Sequence, residues 1–553
     1  MYVAKVSVLL VLITLAGGAL RVYGLSRGAP FHFHADEMLA LRGAVLLHDA
    51  PDAAAQSAKF FVYPVLPKRM LGGLIEAYEL VRHPFDLAQP EHAATLMLLG
   101  RSISAACSIL MIPIAFAIGR RVAGVRAGIV SAVLVAGTVA QVTNAHYFTS
   151  DVPLAFFCAL ALWALVCIAQ DGRPRAYVAF GLAFGAAISC KYTAAFLLLP
   201  LAIVHILSPA RARGWKVWFP LGCVPIVIGL ILFVTVNPLV LQYPERFHED
   251  VLDHIVEPNF TEGGSAPIWT AQFADETVRT YWFTNLLPWN LGPALALWGF
   301  AGSAWLLMHK NRAGWAVASY SICYYLVSSQ TTTPYMRYVL PLGLSFAVAA
   351  ASLSVRAWRT TLGVVAITAL WAIAYLGVYR DKDPRVEAAA FIERRISPGA
   401  KILVEPSHNI PPMGSYREAP QFFTEYVGWG RDTVREDGYA LHTLDVYHYL
   451  YDPSVPAAEK RDYIEKRLAK VDYIVMDDTF DEFYEHLNGP EHAPVREYYR
   501  ALFSGALGFR LMREFRSSPT LFGFEIPDEA AEMTFSLFDH PDVYVFRRDD
   551  PAN

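Results

Sequence analysis

From residue 3 to residue 379 the chain alternates apolar blocks of about 17–22 residues, the length that crosses a hydrocarbon core, with polar connections. The blocks fall at 3–23, 95–118, 125–143, 152–170, 176–189, 191–207, 217–236, 290–308, 314–330, 336–354 and 359–379. The pattern predicts eleven spans, the pair meeting at Ser189-Cys190-Lys191 being the shortest. Two polar loops are long, about 24–94 and 237–289. The first carries the aromatic run Phe60-Phe61-Val62-Tyr63 and then an amphipathic stretch, Leu66 to Val81, suited to the membrane surface. The second, with His248, Asp253, His254 and a Gly263-Gly264 turn, reads as a surface loop or lid.

Beyond Arg380 the pattern shortens. Helical periodicity over 386–395 and 457–470 alternates with strand-like runs at 401–405, 472–476, 509–515 and 543–547. The prediction is a polytopic α-helical membrane region, 1–380, followed by a soluble α/β sandwich domain, 381–553.

Composition agrees: 55% hydrophobic and 17% charged residues exclude an ordinary soluble enzyme. A net charge of −4 and a pI near 6.5 give no reason to expect nucleic acid. All six cysteines lie in or at the ends of apolar blocks, as packing residues rather than a disulfide framework or zinc site. Residues 1–23 have the outline of a signal peptide, but they read better as an uncleaved first span.

Charge in the short loops sets orientation. One set of loops holds twelve basic residues, from Arg120 and Arg121 to Arg356 and Arg359, whereas the opposite set holds only Lys191 and Arg337. The basic set is expected in the cytoplasm, with Lys5 and the N-terminus. An odd number of spans then puts both long loops and the α/β domain on the outer face of the plasma (inner) membrane.

The candidate chemistry falls on that face. Asp36-Glu37, in Pro30-Phe-His-Phe-His-Ala-Asp-Glu37, follows the first span, where a carboxylate can reach a lipid-borne substrate. The plainer alternative is a helix cap. Asp151 stands at the mouth of the fourth span, after His146. Lys191, next to Tyr192, is a lone cation between apolar runs, suited to an anion or to snorkelling. Arg337, between Tyr335 and Tyr338, suits a phosphate or a lipid-anchoring role.

These stretches form an ordered set. Asp36-Glu37, His146-Tyr-Phe-Thr-Ser-Asp-Val-Pro153, Gly185-Ala-Ala-Ile-Ser-Cys-Lys-Tyr-Thr193 and Arg337-Tyr-Val-Leu-Pro341 resemble the signature stretches of bacterial GT-C glycosyltransferases. More narrowly, they resemble the protein-mannosyltransferase-like group of glycosyltransferase family 39 and the aminoarabinose transferases. The ending Thr534-Phe-Ser-Leu-Phe-Asp-His-Pro541 is similar to the tail of many bacterial members. The resemblance implies a polyprenyl-phosphate sugar donor and a lipid, glycan or protein acceptor on the outer face. Asp36 would be the base on the acceptor, Glu37 its partner in shaping the site, and Asp151 part of the second motif. Lys191 and Arg337 would meet the donor phosphate, with His146, Tyr192 and Tyr338 as further substrate contacts. No metal is proposed, since no ligand cluster is spaced for one, although the group includes members with a divalent ion near the site. A lipid-linked-sugar flippase and a non-catalytic membrane scaffold share the architecture, and transfer to a supplied acceptor separates them from an enzyme.

Overall fold

The computed structural model describes residues 2–31, 33–57, 59–82, 90–252, 268–273, 278–309, 311–331, 333–405, 409–413 and 438–549. His254 and the Gly263-Gly264 turn lie outside the described residues.

The membrane part is helical: α1 (Tyr2–Val22), α2 (Ala35–Asp49), α3 (Leu66–Glu79), α4 (Pro90–Ala136), α5 (Asp151–Asp171), α6 (Pro174–Ile188), α7 (Leu198–Leu207), α8 (Trp215–Val236), α9 (Pro293–Met308), α10 (Arg312–Ser328), α11 (Leu340–Ser352) and α12 (Trp358–Arg380). Each apolar block predicted from the sequence contains helix. Among the described residues, however, six helices are long and apolar enough to cross a membrane, or seven if Arg279–Leu291 and Pro293–Met308 count as one span bent by 113°. The difference from eleven has local causes. The second and third blocks are two helices that abut at Ala123-Gly124, where the backbone leaves helical φ/ψ and Gly124 has φ +87°, so the run Glu91–Ala136 includes both. The pieces in the fifth and sixth blocks, Pro174–Ile188 and Tyr192–Leu207, are shorter than a spanning helix.

Helix α11 is buried along its whole length, and small residues let its neighbours approach. A Cβ on Gly302 of α9 would lie 2.1 Å from the Ala349 carbonyl oxygen. Helices α6 and α8 meet in the same way, Gly185 against Gly229. Helix α1 packs on α4, and its last turn carries Arg21, fully buried. The Arg21 guanidinium donates to Ser108 Oγ (2.7 Å) and to the carbonyls of Val135 and Ala136 (both 2.9 Å), which fixes the point where the first loop leaves the bundle. Leu71 and Ile75 of α3 are buried in the main core, so the amphipathic stretch packs on protein along that face. Five cysteines are buried as read, whereas Cys223 on α8 is exposed.

The C-terminal part is a five-stranded mixed sheet of β1 (Lys401–Val404), β2 (Ala440–Thr443), β3 (Tyr473–Asp477), β4 (Phe509–Phe515) and β7 (Val543–Arg548), in the order β2-β1-β3-β7-β4. The first three strands are parallel, and β7 joins β3 and β4 antiparallel. A separate hairpin, β5 (Thr520–Leu521) with β6 (Phe524–Glu525), follows β4. Helices α13 (Pro384–Arg395), α14 (Ala457–Leu468), α15 (Thr479–Glu485) and α16 (Ala493–Phe503) complete this part. The sheet carries two apolar clusters, one around Ile474 and Phe546, the other around Val404 and Val545.

A segment before β7 ties the two parts together. Phe535 joins the membrane core, 5.3 Å from the Trp289 ring and stacked at 6.2 Å on Trp371. Tyr147 and Tyr375 donate their hydroxyls to Asp539 at 2.7 and 2.9 Å. The Arg385 guanidinium lies 3.7 Å over the Phe33 ring and donates to the Phe538 carbonyl.

Candidate active site

The acidic pair opens α2. The chain leaves α1 through two glycines with positive φ, Gly24 and Gly28, and His34 caps the helix by accepting from the Glu37 amide. That start puts Asp36 and Glu37 in the first turn, where the helix dipole favours negative charge. Their surroundings differ. Glu37 is 1% exposed and takes a bidentate pair from Arg101 of α4, at 2.9 and 2.8 Å, and a third bond from the Phe148 amide at 2.9 Å. Burial alone would raise this carboxyl, but Arg101 and the Phe148 amide outweigh it and hold Glu37 below the usual carboxylate range. Arg101 also donates to the carbonyls of Leu25 and Arg27, so one guanidinium pins the loop after α1 and the start of α2.

Asp36 faces a different group. Its carboxylate lies 3.3 Å from Nη2 of Arg337, on the turn Met336–Val339 that leads into α11. Nε of the same guanidinium is 3.7 Å from Asp151, the first residue of α5, and Asp151 accepts from Lys191 Nζ at 2.8 Å. Asp36, Arg337, Asp151 and Lys191 thus alternate in sign across the start of α2, the Met336–Val339 turn, the start of α5 and the connection after α6. Tyr338 lies beneath both cations, with Lys191 4.8 Å and Arg337 5.7 Å from its ring centre, and Tyr335 covers Arg337 at 4.7 Å. Tyr63 faces the cluster as well: the Asp36 charge, then burial, push its phenol well above the ordinary value, so it stays a neutral donor. Arg337 Nε is buried with no hydrogen-bond partner among the described residues. A buried donor left in this state costs free energy unless a ligand completes it.

The cluster unites four of the five predicted charged residues and Tyr338, while Glu37 stands one residue away on Arg101. Two aromatic candidates lie elsewhere. Tyr192 donates to the Phe61 carbonyl at 2.8 Å among Phe233 and Phe247, bracing the turn before α3. His146 has both ring nitrogens 2.8 Å from the carbonyls of Val142 and Tyr23 and stacks on Tyr379, so it fastens the first loop to the bundle. Among the described residues no three His, Cys, Asp or Glu side chains converge as a metal-binding group.

The C-terminal segment supplies residues that sequence reasoning did not assign. Glu532 accepts from the Met336 amide at 3.0 Å, holding the turn that carries Arg337. Phe538 stacks at 3.8 Å on His34, the cap of the Asp36 helix. Phe538 and His34, with Asn144, Tyr147, Arg337 and Asp539, border a cavity of about 30 Å³, enough for a water molecule. Arg101 went unassigned because it lies inside an apolar block, where its one signal is the cost of an unpaired charge.

The family model described as dolichyl-phosphate-mannose-protein mannosyltransferase matches residues 96–238. Two solved structures resemble the whole chain. ArnT from Cupriavidus metallidurans in the apo state has 15% identity and a TM-score of 0.52, covering 99% of this chain and 98% of its own. The same protein bound to undecaprenyl phosphate has 13% identity and a TM-score of 0.50, covering 98% of each chain. No curated protein matches the chain by sequence. The fold is therefore of the GT-C type, shared with these structures over the full length of the chain, and the family model is matched across α4 to α8.

Proposed function

We propose that this protein transfers a sugar from a polyprenyl-phosphate-linked donor to a nucleophilic acceptor on the outer face of the membrane, with Asp36 as the base. The observation that carries the proposal is the alternating cluster, in which a carboxylate and two cations converge at the ends of apolar helices. The undecaprenyl phosphate bound by the Cupriavidus metallidurans transferase supports the lipid class of the donor. The acceptor oxygen or nitrogen attacks the anomeric carbon, and its proton passes to Asp36. The bond from that carbon to the phosphate oxygen breaks, and the electron pair leaves with the phosphate. Arg337 and Lys191 sit where that charge develops and need little reorganisation to meet it. Asp151 holds both cations in register.

Asp36→Asn keeps the shape of the side chain and cannot take a proton. Turnover should fall by about 10²–10⁴-fold, measured as sugar transferred from a synthetic polyprenyl-phosphate donor by purified protein, while donor binding survives. Near-wild-type transfer would move the base to Asp151. Lipid movement without sugar transfer in the wild type would mark a flippase instead. The outer-face assignment has its own test in intact cells. Cysteines at Ala53 and Glu465, both exposed, should react with an impermeant thiol reagent, and one at Arg213 should not.

A further inference from the structure

Among the described residues of the C-terminal part, the most exposed large apolar side chains are on the hairpin of β5 and β6. Its pairs are Thr520 with Glu525 and Leu521 with Phe524, so two residues, Phe522 and Gly523, make the turn. Both have positive φ, +53° and +87°, as a type I′ turn requires. That turn favours Asn-Gly, and a bulky residue at its first position is a steric outlier. Phe522 is 83% exposed and Phe524 78%, so no packing against the described residues accounts for the strained phenylalanine.

The hairpin's position supplies the reason. Strand β5 lies against Gly377 of α12, close enough that a Cβ there would sit 3.1 Å from the Thr520 amide nitrogen. Gly377 continues the stripe of α12 that carries the exposed Ile367, Leu370 and Ile373, the face this span presents to lipid. The hairpin therefore sits about one helical turn beyond Ile373, at the end of the span, where hydrocarbon gives way to headgroups.

We propose that Phe522 and Phe524 form a lipid anchor, inserting into the leaflet on the side of the α/β domain and holding that domain against the bilayer. Apolar side chains beside a membrane gain by burial in the acyl boundary, and aromatic rings are enriched at that depth. The apolar stripe of α12 runs directly into the hairpin, so the lipid-facing surface continues from the span into the domain. The proposal does not depend on the chemistry at Asp36.

The test uses the full chain in phosphatidylcholine and phosphatidylglycerol nanodiscs, in a Cys223→Ser background that removes the exposed thiol. A spin label at Phe522→Cys should collide readily with oxygen and be shielded from a water-soluble nickel chelate. A label at Leu370→Cys should behave the same way, and one at Glu465→Cys should show the reverse. Nickel access at 522 equal to that at 465 would overturn the proposal. Shielding from both reagents would also overturn it, since the hairpin would then be covered by protein. A second measurement keeps the turn intact. Phe522→Asn suits the type I′ turn better than phenylalanine, so a purely structural hairpin would exchange its amides no faster in this variant. A lipid anchor predicts amide exchange over Thr520–Glu525 faster by roughly tenfold in Phe522→Asn nanodiscs, and unchanged or slower exchange refutes it.

Discussion

Glu37 has every carboxylate oxygen engaged by Arg101 or the Phe148 amide, whereas its neighbour Asp36 meets a guanidinium beside Tyr63. The two acids therefore fail differently when changed. Arg101→Ala leaves Glu37 buried without its counter-ion and should destabilise the fold by about 3–5 kcal/mol, visible as a lower thermal midpoint. Asp36→Asn removes no fully buried pair and should melt close to wild type while losing turnover. A shared loss of stability would make the pair a structural cap. Lys191→Ala and Arg337→Ala should lower catalytic efficiency by roughly 10- to 150-fold, the cost of a charge-assisted phosphate contact of about 1.5–3 kcal/mol. Donor kinetics that do not change in either folded variant would return these cations to packing roles. Arg337→Lys should not rescue, because a lysine cannot bridge Asp36 and Asp151 together.

At the scale of elements, the site depends on three element ends being held still: the start of α2, the start of α5 and the turn before α11. The α/β part holds two of them, through Phe538 on His34 and Glu532 on the Met336 amide. Burial pushes the Glu532 carboxyl up despite its bonds from Thr534 and the Met336 amide. Glu532→Ala should free the Arg337 turn and lower kcat more than it changes donor KM, a positioning effect that Glu532→Gln should largely spare. Equal loss in both variants would point to the charge instead. The sequence made the four charged residues of the cluster legible, because an ion beside an apolar run has few reasons to be there. It did not show Arg101, and it marked the ending at residues 534–541 without giving it a role, since both act through contacts between residues 64 to about 500 positions apart, which no periodicity encodes. His146 and Tyr192 looked functional by proximity to motifs, yet their bonds go to backbone carbonyls. Short strands such as Ala440–Thr443 escaped for a different reason: the sequence Ala-Leu-His-Thr does not alternate apolar with polar residues, although its burial does alternate.

On the scale of the whole molecule, the α/β part carries an acidic cluster next to its docked face, where Glu532 meets the Met336 amide. Asp478, Glu482, Asp528, Glu532 and Asp542 gather there, with Arg516 bound to Asp542 and Glu529, and His540 to Asp528. Burial first, then the charges of Asp542 and Glu532, raise the Glu482 carboxyl from 4.5 to about 7. Asp542 rises to about 6, although Arg516 pulls the other way. Folded protein therefore holds a proton on Glu482 that the unfolded chain releases, across the window from 4.5 to about 7. Stability falls as pH rises through that window, and above it the full repulsion of the ionised cluster is present. Buried His34 and His146 oppose this trend, since burial lowers both and their contribution grows as pH rises toward their ordinary value. The bulk pH profile thus mixes two signs, and a variant must isolate one. Glu482→Gln cannot ionise, so it should melt above wild type near pH 8.5 and level with it near pH 5. A midpoint difference that is the same at both values would mean that Glu482 is ionised throughout, and that the docked face tolerates its charge.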